Sequence, residues 1–185
     1  MSTYDRVAWK EGMFLLPQHF QQAERAYAAE QFVHSRLSRP HGYGLIELEI
    51  DPELLADGKV GIKRLRAVLR DGTSIDIPRV DSAPPPRDID VPTGTAGVPL
   101  YLALPIKRDG IAEATSDPNR SDIRWVEADA EVEDAHEPAR RRELRVLRKN
   151  LRLVAGREPR DHLMCIKLAE LSRGEAGGIA VSRAF

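Results

Sequence analysis

The stretch Val98–Lys107 reads VPLYLALPIK and is the most apolar run of the chain. It has the length of a strand and lacks the polar alternation of a strand with one solvated face. We therefore predict a central strand of the hydrophobic core here. Pro105 lies near its end, and because proline has no N–H to donate to a sheet, we expect an edge or a bulge at that point.

Other segments with strand patterns lie on both sides of this run and are separated by turns rather than by helices. They are Leu45–Ile50, Lys59–Leu69, Thr73–Ile77, Ile123–Asp134, Arg140–Val154, Leu163–Leu171 and Ile179–Phe185. Together these segments give about eight strands, and their spacing predicts a mainly β fold, an antiparallel β-sandwich. Asp71-Gly72 predicts a hairpin. A shift in the apolar pattern of Arg140–Val154 predicts a bulge or a twist near Val146–Leu147.

One α-helix is predicted ahead of the strands. Pro17 suits a first helical turn, and the helix runs to about Leu37, where a segment with a proline and two glycines follows. Glu30 and His34 lie four residues apart in its apolar stripe and are expected to pair. The stripe consists of Phe20, Ala23, Ala26, Tyr27, Val33 and Leu37.

The predicted elements divide the chain into two parts. Residues 5–15 form a short strand or an extended arm, so the N-terminal arm and helix occupy 1–37 and the β-sandwich domain occupies 38–185. The proline-rich segment 78–99 is too long for a hairpin loop and is expected to cross between sheets or wrap the domain edge. The last strand stops abruptly, and we therefore expect the chain to be truncated.

Composition and charge exclude several classes of protein. Hydrophobic residues make up 42% of the chain, and 28 Lys and Arg stand against 29 Asp and Glu, so a net charge of -1 gives no bulk attraction to nucleic acid or an anionic membrane. The single cysteine, Cys165, forms no intrachain disulfide. There is no signal peptide and no run of about 20 apolar residues, so we expect a soluble cytoplasmic protein.

The sequence offers little for catalysis or for cofactors. The five histidines show no zinc spacing, and no nucleophile-elbow, Walker or dinucleotide motif occurs. Cys165 lies in a strand pattern and is expected to be a buried, inert thiol. Acidic residues between Glu127 and Glu137 are either paired catalytic carboxylates or a solvated strand face, and the alternating pattern favours the second. We predict no catalytic residue, no metal and no cofactor.

A basic run follows directly after this acidic strand. It extends from Arg140 to Arg152 and by itself suggests nucleic-acid binding. If the two strands pair, however, opposite charges face each other across the hairpin. Aromatic residues for stacking bases are also few. We therefore favour internal ion pairs over a nucleic-acid partner.

The opening segment Trp9–Gln22, WKEGMFLLPQHFQQ, is unusually apolar for a chain terminus. It either packs on the body of its own domain or forms an interaction arm, since exposed apolar clusters mark protein interfaces. We predict structural or interface roles within this motif. The residues concerned are Trp9, Glu11, Gly12, Met13, Phe14, Leu15, Pro17, Gln18, His19 and Phe20.

The same motif resembles the N-terminal signature of the TssK family, also called ImpJ/VasE, which supplies baseplate subunits of type VI secretion systems. Further matches are HGYGLIELEID at 41–51, LRDGT at 69–73 and RKNLRL at 148–153. Family members are considerably longer, so the resemblance implies that this chain corresponds to their N-terminal part.

The resemblance implies a homotrimeric, noncatalytic adaptor. Its N-terminal β-sandwich, the shoulder, is similar to a domain of phage receptor-binding proteins and docks onto the TssF–TssG wedge. A helical neck and a head follow, and the head contacts the membrane complex, so this chain is not expected to do so. The implied location is the cytoplasmic face of the inner membrane. The alternatives are a carbohydrate- or peptide-binding sandwich and a carboxylate-dependent hydrolase.

Overall fold

The computed structural model describes residues 4–92, 97–174 and 178–184, and for 182–184 it describes the backbone only. Phe185 and most of the glycine-containing segment 94–97 lie outside these residues. Two helices and twelve strands occur in the described part. They are α1 (Pro17–Ser38), β1 (Gly44–Ile50), α2 (Pro52–Ala56), β2 (Lys59–Val60), β3 (Ile62–Val68), β4 (Ser74–Ile77), β5 (Arg87–Asp88), β6 (Val98–Pro105), β7 (Ala114–Thr115), β8 (Trp125–Glu133), β9 (Arg141–Lys149), β10 (Arg152–Ala155), β11 (Leu163–Arg173) and β12 (Ile179–Ala184).

The strands form two principal sheets, a ribbon and a short pair. One sheet has the order β1-β3-β4 and the other β10-β6-β11-β12, while β7-β8-β9 form the ribbon and β2 pairs with β5. Neighbouring strands are antiparallel, except for the short parallel pairing of β7 with β8. The predicted mainly β, antiparallel fold is confirmed.

Both principal sheets contribute to one hydrophobic core, as two layers of a sandwich do. Leu65 and Ile77 from the first sheet and Leu102 and Leu168 from the second belong to the same buried cluster. Strand β6 lies between β10 and β11, so the predicted central strand is confirmed. The predicted helix also agrees with α1, and the Asp71-Gly72 hairpin joins β3 to β4.

At Pro105 the expected bulge is wrong, whereas the expected edge is present on one side of the strand, because the pairing of β6 with β10 ends at Ala103. Pro105 is the last residue of an interior strand, is buried, and faces Leu163 of β11 in regular register. The irregularity in this pairing lies between Lys167 and Ala169 instead. Because β10 does not extend as far as Pro105, the missing N–H of the proline breaks no hydrogen bond to that neighbour.

Of the bulge or twist expected near Val146–Leu147, the bulge is wrong. Strands β8 and β9 pair without interruption from Trp125–Lys149 to Glu133–Arg141. Strand β9 ends at Lys149, and after residues 150–151 the chain enters the other sheet as β10. The shift in the apolar pattern therefore reflects a ribbon with apolar residues on both faces, followed by a change of sheet.

The proline-rich segment crosses between the sheets, as predicted. It leaves β4 of the first sheet, pairs briefly as β5 with β2, and leads to β6 of the second sheet. The predicted strand Lys59–Leu69 is divided at Gly61, where a Cβ atom would collide with the Leu54 side chain of α2. Glycine at this point lets the short helix lie close to the sheet.

Candidate protein-interaction surface

The N-terminal residues form an extended arm rather than a strand, and polar contacts hold the arm on α1. The Gln22 amide donates to the Asp5 carbonyl at 2.7 Å. The Arg6 guanidinium donates to the Glu30 carboxylate through Nε at 3.2 Å and also through Nη2. The expected pairing of Glu30 with His34 is therefore replaced by a contact from the arm, which sequence spacing within the helix does not reveal.

A turn and a helix cap fix the junction between arm and helix. Gly12 has φ +78°, a left-handed conformation that favours glycine, and Met13 N–H donates back to the Lys10 carbonyl at 3.4 Å. Pro17 occupies the first helical turn. The Leu16 N–H donates to His19 Nδ1 at 3.0 Å, which satisfies one backbone donor at this end of the helix. The junction is thus ordered by local chemistry.

The apolar side chains at this junction lie on the surface. Phe14 is 83% exposed, and Trp9 and Phe20 are each 53% exposed. The Trp9 ring lies 6.1 Å from that of His19 and 6.2 Å from that of Phe20, so these three rings form one cluster. Leu15 is likewise exposed.

The other motif residues have smaller side chains or are less exposed. Glu11, Pro17 and Gln18 are exposed, as is Gly12, whereas Met13 and His19 are half-buried. The large apolar groups of the motif are therefore not part of the sandwich core.

The predicted apolar stripe of α1 faces solvent for most of its length. Tyr27, Val33 and Leu37 are exposed, and Ala26 is the buried member. The less exposed side of the helix instead includes Ala29 and Phe32. The stripe is therefore not the inner face of the helix, because its larger apolar residues fall on the outer side. On the less exposed side, the small side chains of Ala26 and Ala29 allow the helix to approach the rest of the protein closely.

The hairpin between β3 and β4 provides a seat for α1. A Cβ atom at Gly72 would collide with the Phe32 ring, and the backbone there has φ +81°. At the other half of the helix, Arg25 Nη2 lies 3.8 Å from Glu113 Oε1. These two attachments hold α1 on the sandwich, and Tyr27, Val33 and Leu37 remain exposed on its outer side.

A nearly buried arginine fixes this hairpin to the rest of the sandwich. Arg124 donates to the Asp71 carboxylate at 2.8 Å, the Thr73 hydroxyl at 2.6 Å and the Pro105 carbonyl at 2.9 Å. Burial by itself raises the pKa of Asp71, but hydrogen bonds from Thr73 and the charge of Arg124 outweigh it and leave that pKa below its ordinary value. Sequence reasoning missed Arg124, whose role depends on contacts between distant segments.

The acidic and basic strands pair, as predicted, and acidic side chains neutralise Arg141 and Arg145. Arg141 contacts Glu133 at 2.7 Å and Glu131 at 3.3 Å, and Arg145 contacts Asp129 at 3.3 Å. The acidic carboxylates therefore face arginines along a solvated strand.

A cavity of about 270 Å³ has no lining residue from β8 or β9. It is lined by Ile46, Arg66, Ala67, Val68, Ser74, Ile75, Asp76, Arg79, Val80 and Asp81.

Other candidate chemistry is sparse in the described residues. No three His, Cys, Asp or Glu side chains there are grouped so as to hold a metal ion. Cys165 is partly buried, and burial raises the pKa of its thiol. No helix of the described chain is long and apolar enough to cross a membrane.

Comparison with known proteins identifies the relatives of this chain. Residues 19–185 match the family model for the bacterial type VI secretion proteins EvfL, ImpJ and VasE. Over 135 residues, the chain is 39% identical to the type VI secretion system baseplate component TssK1 of Pseudomonas aeruginosa. The alignment covers 72% of this chain and 30% of that protein, so the chain spans about 30% of the length of this curated relative.

Solved structures are similar over almost the whole chain. The crystal structure of TssK matches with a TM-score of 0.84 at 25% identity, over 97% of this chain and 41% of that chain. A chain in the cryo-electron microscopy structure of the TssK–TssF–TssG baseplate subcomplex matches with a TM-score of 0.87 at 27% identity. That match covers 98% of this chain and 61% of the other.

Proposed function

The chain belongs to the bacterial type VI secretion family of EvfL, ImpJ and VasE, as the sequence resemblance predicted, and we propose that it is a noncatalytic adaptor region of the secretion baseplate. Its partners in this proposal are the wedge proteins TssF and TssG, with which a similar TssK chain has been solved. The binding energy comes from buried apolar surface, at about 25 cal/mol per Å².

The exposure of the motif's aromatic side chains Trp9, Phe14 and Phe20 is the observation that supports this proposal. Large aromatic side chains of this kind are enriched among the residues that dominate binding at protein interfaces. The Gly12 turn and the His19 cap order the backbone beneath them, so less conformational freedom is lost on binding. An ordered apolar cluster outside the core suits a docking surface better than it suits a folding nucleus.

The proposal also covers organisation and location. Residues 1–37 act as the docking arm and helix, and 38–185 act as the shoulder-like sandwich that presents them. Assembly as a homotrimer and contact with the membrane complex are assigned to the full-length protein. The assembled protein lies at the cytoplasmic face of the inner membrane.

Substitution of Trp9 or Phe14 by alanine tests the docking role. We expect each change to weaken binding to purified TssF–TssG wedge about tenfold or more, as loss of an interface anchor does. The melting temperature should change little, because both side chains are largely exposed. Binding is measured by surface plasmon resonance and stability by calorimetry.

Leu37→Ala is the matched control. Leu37 is 77% exposed and lies at the opposite end of α1, so its loss should leave wedge binding unchanged. A fall in melting temperature without loss of binding would make Trp9 and Phe14 structural residues. Undiminished binding and undiminished stability would show that the wedge docks on another surface.

A further inference from the structure

The ribbon formed by β8 and β9 has two faces of different character. Successive residues alternate between the faces, and residues paired across the strands share one. One face carries the ion pairs of Arg141 and Arg145 with the acidic residues of β8. The opposite face, called here the apolar face, consists of Val126, Ala128, Ala130, Val132, Arg142, Leu144, Val146 and Arg148.

The apolar face is exposed over its outer half. Leu144 is 49% exposed and Val132 is 42% exposed. Ala130 pairs with Leu144 across the strands and precedes Val132 on the same face of β8. At the base of the ribbon, Arg148 Nη1 lies 3.4 Å from the Ser82 hydroxyl. Lys149, on the charged face, binds Asp81 at 2.7 Å, so residues 81–82 support the same end of β9.

The charge on this face is unbalanced. Within the described residues, no carboxylate forms an ion pair with Arg142 or Arg148, whereas Arg141 and Arg145 on the other face each contact two. Two cations therefore border an apolar centre. A complementary surface presents apolar side chains flanked by carboxylates, since electrostatic complementarity selects partners and opposes like charges.

We propose that the apolar face of the ribbon is a second docking surface, separate from the N-terminal arm, for a partner segment with apolar side chains flanked by carboxylates. The proposal rests on the proposed function in taking the TssF–TssG wedge as the source of that segment. A second copy of the same face is a poorer occupant, because it would bring Arg142 and Arg148 of both copies together.

The test compares two leucines of the same strand. Leu144 is 49% exposed on the apolar face, and Leu147 is 50% exposed on the charged face. Leu144→Asp is expected to weaken binding to purified wedge about tenfold, whereas Leu147→Asp stays within about twofold of the wild type. Circular dichroism and the melting temperature check that both variants are folded.

The arginines give a second readout that does not depend on the leucines. Arg142→Ala combined with Arg148→Ala should reduce the dependence of wedge affinity on salt concentration, because exposed charges are screened by salt. Arg145→Ala, on the charged face, should leave this dependence nearly unchanged. This comparison separates electrostatic recognition from a general effect of altering the ribbon.

Each result either supports or overturns the second docking surface. Loss of binding in Leu144→Asp but not in Leu147→Asp, with a reduced salt dependence, supports the second surface. Wedge binding that both leucine variants retain, while Trp9→Ala loses it, overturns the second surface and leaves the proposed function intact. Wild-type protein that fails to bind wedge overturns both. Light scattering that shows self-association abolished by Leu144→Asp assigns the face to a second copy and also overturns the proposal.

Discussion

Strand β6 and the N-terminal arm are both strongly apolar in sequence but differ in what covers them. In β6, Leu100, Leu102 and Leu104 are completely buried in the hydrophobic core. In the arm, Phe14 is 83% exposed although its backbone is ordered. The comparison shows that hydrophobicity identifies surface that must be covered, whereas topology decides whether the same domain covers it. We therefore interpret β6 as the source of stability and the arm as the source of binding.

The largest expected difference between these regions is in stability. Leu102→Ala should lower the free energy of unfolding by about 2–5 kcal/mol, because it removes buried methyl groups and leaves a cavity. Phe14→Ala should change it by less than about 0.5 kcal/mol, since the ring is mostly in solvent. Urea denaturation monitored by circular dichroism measures both. Equal losses in the two variants would remove the distinction between core and arm.

A smaller effect is expected where the ribbon joins the sandwich. Asp81 and Lys149 form an ion pair at 2.7 Å, with side chains only 7% and 14% exposed. Asp81→Ala should cost about 2 kcal/mol, because it leaves a nearly buried ammonium without its hydrogen-bond acceptor.

The exposed pair of Arg141 with Glu133 provides the control for this change. Arg141→Ala should cost less than about 1 kcal/mol, because water screens the pair and replaces its contacts. Both variants are compared by urea denaturation. A cost for Arg141→Ala as large as that for Asp81→Ala would show that burial does not set the strength of these contacts.

The smallest expected effect is a pH dependence at the seat of α1. The pKa of Asp71 is lowered in the folded protein, so its carboxylate stabilises the fold above the ordinary carboxyl pKa of 3.8 and loses this effect as pH falls below that value. Wild type should therefore be more stable than Asp71→Asn at pH 7. The difference should shrink as pH is lowered from about 4.

Thermal denaturation from pH 7 to pH 2.5 follows this difference. Hydrogen exchange of α1 adds a local readout, because Arg124 and Asp71 hold the hairpin on which Phe32 packs. A stability difference that stays constant across the whole range would exclude Asp71 ionisation as its cause.

Much of the fold was predictable because local patterns and the final contacts agree. The central strand 98–105, the Asp71-Gly72 hairpin and the bounds of α1 follow from apolar runs, turn chemistry and Pro17. The inner face of α1 did not follow from its pattern. The large apolar residues of the helix remain exposed on its outer side, whereas Phe32 packs on a hairpin that lies far along the chain.

The candidate surfaces were predictable only in part. The apolar motif at Trp9–Gln22 is visible in the sequence, but its exposure depends on the arm folding back onto α1 through Arg6 and Glu30. The apolar face of the ribbon was hidden because the alternation of β8 was assigned to ordinary half-burial. Only the strand register shows that Arg142 and Arg148 border that face while their neighbours are paired.

Hydrogen–deuterium exchange of residues 9–22, measured with and without purified TssF–TssG wedge, tests the central claim most directly. The account predicts that these amides exchange faster than those of β6 in the free protein and slow markedly in the complex, while β6 stays protected in both. Residues 9–22 that exchange at the same rate in the presence of bound wedge would contradict it. So would residues as protected as β6 before any partner is added.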